Sequence, residues 1–263
     1  MIRSAARSVN MGCMDRIECP LLFLNNSIDW GIEDPKGRPL EKVREIRDKI
    51  ERRVKRSLLK TSNSRLTSSQ KVFLAELAGT FVVVLFATGS VVIDAKMGWA
   101  LGLSFVAAVL FAGVALMVYA FGKVLMAHFN PAVTLGFLVS GHIKKSQVPV
   151  YLGAEITNAL LASLFVMYFV GAEANLGANV PNYSFFPLPV IFGVEILVTA
   201  FLMAVIFAVV YTKGLKGLSG VAIGGMVDLD IFFFSFISGA SMSPARSLAP
   251  ALLSGAMGDL LLY

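Results

Sequence analysis

A single arginine, Arg246, stands in the apolar stretch "MSPARSLAP", and an earlier stretch, "FNPAVTLG", carries Asn130 ahead of a Pro-Ala pair of its own. A guanidinium stays charged and presents five donors. At the centre of a bilayer it costs at least about 2.5 kcal/mol, so it is stable there only where it lines a water-filled passage. In such a passage it donates hydrogen bonds to a permeant and repels cations. Asn130 is a favoured N-cap and Pro131 is tolerated at the first helical position; Ser243 and Pro244 repeat that chemistry. "AVTLGFLVSG" and "ARSLAPALLSG" follow, each long enough for half a bilayer, which predicts two re-entrant half-helices. Aligned peptide dipoles leave about half a positive charge at each tip. Two tips meeting at mid-depth repel cations and interrupt a proton wire, so the chemistry here is selection.

The elements that position these residues are membrane spans. Of 263 residues, 56% are hydrophobic, and the mean hydropathy of +0.74 lies beyond the soluble range. The net charge of +6 is concentrated ahead of the apolar part, where thirteen of the 23 Lys and Arg fall between Lys36 and Lys71. That block reads as a solvated or lipid-headgroup-facing segment, with no nucleic-acid partner. Crossing about 30 Å of hydrocarbon takes roughly 20 apolar residues, and windows of that length lie at 72–93, 98–121, 148–170, 188–212 and 217–238. Each is predicted to be a helix, because lipid satisfies no backbone group. Lys144 and Lys145, Lys213 and Lys216, and the N-terminal block fall on one side, while 171–187 has no Lys or Arg, which predicts a cytoplasmic N-terminus. Lys96 and Arg246 are the exceptions.

An internal repeat organises the spans. Glu76 and Thr80 open the first span with the same Glu-x-x-x-Thr as Glu195 and Thr199 in the fourth, and each copy later reaches a Pro-Ala turn, Pro131-Ala132 or Pro244-Ala245. Three spans per copy invert the second copy relative to the first. Five full spans are expected, the third of the second copy falling beyond Tyr263. Cys13 and Cys19 are the only cysteines; no signal segment precedes residue 70, and cytosol-facing thiols are expected in place of a disulfide framework.

Together, "AELAGTF" and "VEILVTAF", "AHFNPAVTLG" and "ISGASMSPARSLAPAL", in this order, resemble the major intrinsic protein family of aquaporins and aquaglyceroporins over residues 72–263. The resemblance implies an all-α membrane protein, an inverted repeat with two re-entrant half-helices, one pore per subunit, and a homotetramer. By position it places Asn130 and Ser243 at the pore midplane, Leu110, Ile231, Ala240 and Arg246 in an outer constriction, and Glu76 and Glu195 as braces of the half-helices. Leu110 and Ile231 replace the aromatic and histidine usual in narrow water channels, implying a wider, more apolar ring of the kind that passes glycerol or metalloid hydroxides. Ser247, where glycerol facilitators tend to have Asp, points away from a dedicated glycerol channel.

A second resemblance covers residues 9–60, "MGCMDRIECPLLFLNNSIDWGIEDPKGRPLEKVREIRDKIERRVKRSLL" within it, which is similar to the end of arsenate reductases related to low-molecular-weight tyrosine phosphatases. It matches Cys13 and Cys19 to redox-relay thiols, Asp34 to the general-acid position, and 39–59 to the final helix. The phosphate loop, a Cys followed six positions later by Arg, is absent, so no enzyme activity is expected. The domain reading is a reductase-like remnant at 1–62, a linker at 63–71 and the channel domain at 72–263, with no cofactor and no metal. The leading function is passive conduction of small uncharged solutes, arsenite trihydroxide foremost and glycerol and water beside it, in the plasma membrane. The alternatives are a membrane-anchored reductase subunit and an inactive remnant of a reductase-channel fusion.

Several residues keep two readings. Glu76 and Glu195 are loop braces or proton-relay carboxylates, His128 a buried histidine or a pH gate, Cys13 and Cys19 leftover thiols or an arsenic relay. Leu125 and Met126 stand where small Ser and Gly are usual in the family, and Phe234, Ser235 and Phe236 where Gly, Gly and Pro are common; the bulky ones are expected to push the half-helices outward or crowd the pore. Asp228 adds a carboxylate near Asp230 in the fifth span.

Overall fold

The computed structural model describes residues 8–10, 27–62, 68–125, 128–212 and 214–263. It separates into two units, Met1–Arg65 and Leu66–Tyr263. Cys13, Cys19 and Met126 lie outside the described residues, as does the side chain of Leu125.

In the first unit two short strands, β1 (Ser8–Asn10) and β2 (Ser27–Asp29), pair in parallel. Helix α1 (Leu40–Ser62) follows a turn at Lys36 and Gly37. Asp34 sits at that turn on the surface, where its carboxylate accepts from the Lys36 N–H at 2.9 Å. Helix α1 is tied back by Arg53, which donates to the Trp30 carbonyl and lies 6.0 Å from the centre of the Trp30 ring.

Among the described residues, the second unit holds five helices long and apolar enough to cross a membrane. They are α2 (Ser68–Lys96), α3 (Gly102–Leu125), α5 (Val148–Phe169), α6 (Leu188–Tyr211) and α7 (Ser219–Ser238). Two shorter helices, α4 (Pro131–Val139) and α8 (Pro244–Ser254), follow α3 and α7. The order long, long, short therefore occurs twice, as the repeat predicts.

Helix α2 packs chiefly on α5, and α3 on α7, the two second spans of the repeat meeting face to face. That close crossing needs glycine. A Cβ on Gly224 would stand 2.9 Å from the Phe111 carbonyl oxygen, and one on Gly220 2.8 Å from that of Ala115. Small residues admit such approaches where lipid supplies no hydrophobic drive between helices. The largest core cluster joins both copies, with Leu110, Val114, Phe129 and Phe137 from the first and Val198, Leu202, Val227 and Ile231 from the second. Helix α8 seats on α2 and α5 through Ala245 and Ala249 against Val84, Ala159 and Ala162. The spans also expose large apolar side chains such as Tyr168, Phe169, Ile196 and Phe236, the surface a bilayer covers.

Phe234 and Phe236 take different environments. Phe236 is 57% exposed, near Phe186 at 5.9 Å between ring centres, while Phe234 packs on the edge of the core cluster. Residues two apart on a helix lie on different faces. The same geometry separates Asp228, half-buried, from Asp230, fully buried.

Candidate functional site

The two short helices begin with nearly the same backbone. The residue before each cap is left-handed, Phe129 at φ 56° and Met242 at φ 55°. The caps are extended, Asn130 at φ −159° and ψ 123°, Ser243 at φ −144° and ψ 113°, and a proline opens each helix. A left-handed L-residue costs roughly 1–2 kcal/mol and persists only where its surroundings over-determine it. A buried carboxylate supplies that constraint in each copy. Glu76 on α2 accepts the N–H groups of His128 at 2.6 Å and Phe129 at 2.7 Å. Glu195 on α6 accepts the N–H of Ser241 at 3.1 Å, that of Met242 at 3.3 Å, and the Ser238 hydroxyl at 2.6 Å. Gly79 makes room on α2 for Phe129, whose ring would lie 1.8 Å from a Cβ there.

The caps themselves differ. Asn130 Oδ1 accepts from the Ala132 N–H at 2.9 Å while its amide donates to the Met242 carbonyl at 2.7 Å. The two turns, far apart in sequence, therefore meet, and Asn130 joins them. Ser243 Oγ accepts from the Arg246 N–H at 3.4 Å, and its shorter side chain makes no such bridge among the described hydrogen bonds. Ser247 is buried and hydrogen-bonded to the Ser241 hydroxyl, inside the loop's own network.

Arg246 is 9% exposed, its Nη1 has no hydrogen-bond partner, and it lines a cavity of about 510 Å³. Leu110 and Ile231 line the same cavity. Ala240, the fourth residue expected in the constriction, is 2% exposed. Its neighbour Gly239 faces the cavity, while the Ala240 methyl is buried in the core cluster with Leu110 and Ile231. The turn is left-handed at both positions, Gly239 at φ 91° and Ala240 at φ 43°.

Residues that sequence reasoning missed complete the lining. Asp94, at the end of α2, is 2% exposed and accepts from the N–H groups of Leu101 at 2.9 Å and Gly102 at 3.0 Å, which starts α3. The loop after α5 contributes Asn175 and Asn179. Ala174, Asn175, Leu176 and Gly177 form one left-handed turn, with φ of 51°, 51°, 59° and 67°. Gly177 presses on Thr88, a Cβ there reaching 2.9 Å from its carbonyl oxygen. Irregular backbone is tolerated beside a span where it is buried in protein or lines a cavity, and this loop does both. Asn182 stitches it to α7, its N–H donating to the Ile237 carbonyl at 3.0 Å and its side chain to that of Phe236 at 3.2 Å. Lys96, an exception to the charge rule, donates to the Val170 carbonyl and faces Glu173 at 3.8 Å, so the loop itself holds its charge. The carboxylate ending an apolar span was a legible signal for Asp94; Ala174 and Leu176 gave none for a left-handed turn.

Five apolar spans among the described residues, two short helices meeting cap to cap, and a cavity lined by apolar side chains together with Asp94, Asn175, Asn179 and the Arg246 guanidinium define a multi-pass membrane channel. The chain belongs to the major intrinsic protein family, whose model matches residues 63–263. It is 38% identical over 195 residues to aquaporin NIP1-4 of Oryza sativa subsp. japonica, covering 73% of this chain and 70% of that one. It is 35% identical over 206 residues to the probable aquaporin NIP4-2 of Arabidopsis thaliana, covering 77% and 71%. Among solved structures it resembles the aquaglyceroporin from Plasmodium falciparum, with a TM-score of 0.65, 20% identity, and coverage of 73% of this chain and 84% of that one. The family consists of passive channels for small neutral solutes, so the chain is a channel protein and not an enzyme.

Proposed function

We propose that this chain conducts small uncharged solutes down their gradient, arsenite trihydroxide first among them, with glycerol and water also admitted. The observation that carries the reading is the cavity of about 510 Å³ walled by Leu110, Ile231 and Gly239, with one unpartnered guanidinium nitrogen from Arg246. Apolar walls at Leu110 and Ile231 favour a neutral polyol-like molecule, and the guanidinium orients its hydroxyls while repelling cations. Asn130 and Ser243 form the midplane, with Glu76 and Glu195 bracing the two turns. The similarity of residues 9–60 to arsenate reductases supports arsenite as the solute, since arsenate reduction yields it and near neutral pH it is mostly uncharged.

The lysine distribution supports a cytoplasmic N-terminus. Family resemblance supports a homotetramer in the plasma membrane. Uptake of arsenite, glycerol and water into vesicles holding the full chain tests the reading. Arsenite uptake above that of empty vesicles is expected; uptake equal to empty vesicles for all three solutes would refute it.

A further inference from the structure

Three groups from separate parts of the chain converge beside the first turn. They are Glu76 on α2, His128 ahead of α4, and Glu155 on α5, and one ligand atom from each lies within 4.8 Å of the others. All three are buried, at 1%, 5% and 0% exposure. Among the described residues no ion pair includes either carboxylate. Two carboxylates enclosed together without a cation repel, and burial strengthens that repulsion.

The hydrogen bonds around them prepare the imidazole as a ligand. Thr134 Oγ1 donates its one proton to Glu155 Oε1 at 2.7 Å, so toward His128 Nδ1, 2.8 Å away, it acts as acceptor. Nδ1 then carries the ring proton, and Nε2 keeps a bare lone pair. That Nε2 and the second oxygen of Glu155 are buried with no hydrogen-bond partner. The ring is held between Phe137 and Tyr151, at 4.7 and 4.2 Å between centres. A histidine oriented through its other nitrogen is the arrangement found around metal ligands.

We propose that Glu76, His128 and Glu155 form a binding site for a divalent transition-metal cation, with zinc the ion best matched to one imidazole and two carboxylates. The ion neutralises the carboxylate pair and ties α2, the loop before α4 and α5 together, a staple on the first half of the repeat only. The proposal stands apart from the choice of permeant.

The test uses the full chain in detergent micelles, stripped with a chelator, supplied with zinc chloride, freed of excess and assayed for bound metal and for thermal unfolding. Retention of about one zinc per chain is expected, with a higher unfolding temperature than in the stripped protein. Glu155→Gln keeps the acceptor for Thr134 and His128→Phe keeps the ring stack, so both should fold, and both should lose the zinc and the temperature shift. Wild-type protein that retains no zinc overturns the site. Equal retention in both variants, as binding at Cys13 and Cys19 would give, overturns it too.

Discussion

The two copies of the repeat start their short helices with almost the same backbone angles, yet they hold those turns with different side chains. In the first copy Glu76 makes two short bonds to backbone N–H groups, and Asn130 caps its own helix and reaches across to Met242. In the second, Glu195 spreads three longer or side-chain bonds over its oxygens, and Ser243 caps weakly and reaches nothing across the gap. The second copy alone carries a guanidinium on the cavity. Both copies share the backbone device and differ in side chains: the first sends Asn130 across to the second turn, and the second places Arg246 on the cavity.

The largest test removes the charged half of this contrast. A positive charge about 6 Å from a passing cation, at an effective dielectric near 20, raises its energy by about 3 kcal/mol, about a hundred-fold in passage. Arg246→Ala is therefore expected to keep neutral-solute uptake and to raise cation leak by up to about that factor, read as collapse of a potassium diffusion potential in vesicles. Unchanged leak would mean that the exclusion rests on the helix tips.

The next test compares the two braces. Glutamine at position 76 turns one of two oxygens into an amide that faces an N–H donor, leaving a buried donor unpaired at a cost of about 2 kcal/mol. Glu195→Gln should cost only about 1 kcal/mol, because Oε1 accepts both Ser238 and Ser241 while Oε2 accepts only the 3.3 Å bond from Met242. Unfolding in micelles should rank Glu76→Gln below Glu195→Gln; the reverse order would assign the anchor to the second copy.

The caps give the smallest pair of effects. Asn130→Ala removes a cap and the single described bond between the turns, with an expected loss of about 1.5 kcal/mol and slower solute uptake. Ser243→Ala removes only a 3.4 Å cap bond, and a loss under about 1 kcal/mol with little change in uptake is expected. Equal losses would remove the distinction between a bridging cap and a local one.

Much of this arrangement was legible from the chain alone. Five spans and both capped half-helices follow from hydropathy windows and cap chemistry, Arg246 stands out by the cost of an intramembrane charge, Glu76 and Glu195 are paired by the internal repeat, and their bracing role is what the family resemblance implies. Glu155 offered a similar signal, a carboxylate in an apolar span, but its meaning depends on His128 and Thr134, which the sequence places 27 and 21 residues away. Counting from a motif gives a position along the chain but not which of the left-handed residues Gly239 and Ala240 faces the cavity. Phe236 carries the same limit, since bulk is visible in sequence and direction is not.

The sequence by itself determined where the chain enters and leaves the bilayer and where its short helices begin, because those choices rest on contiguous residues and on local backbone chemistry. Tertiary structure alone decided which walls meet Arg246, that Asn130 reaches Met242, and that Glu76, His128 and Glu155 share one enclosed space. Such contacts depend on the rotation of each helix about its axis and on glycine-permitted approaches between distant segments, and no window along the chain encodes either.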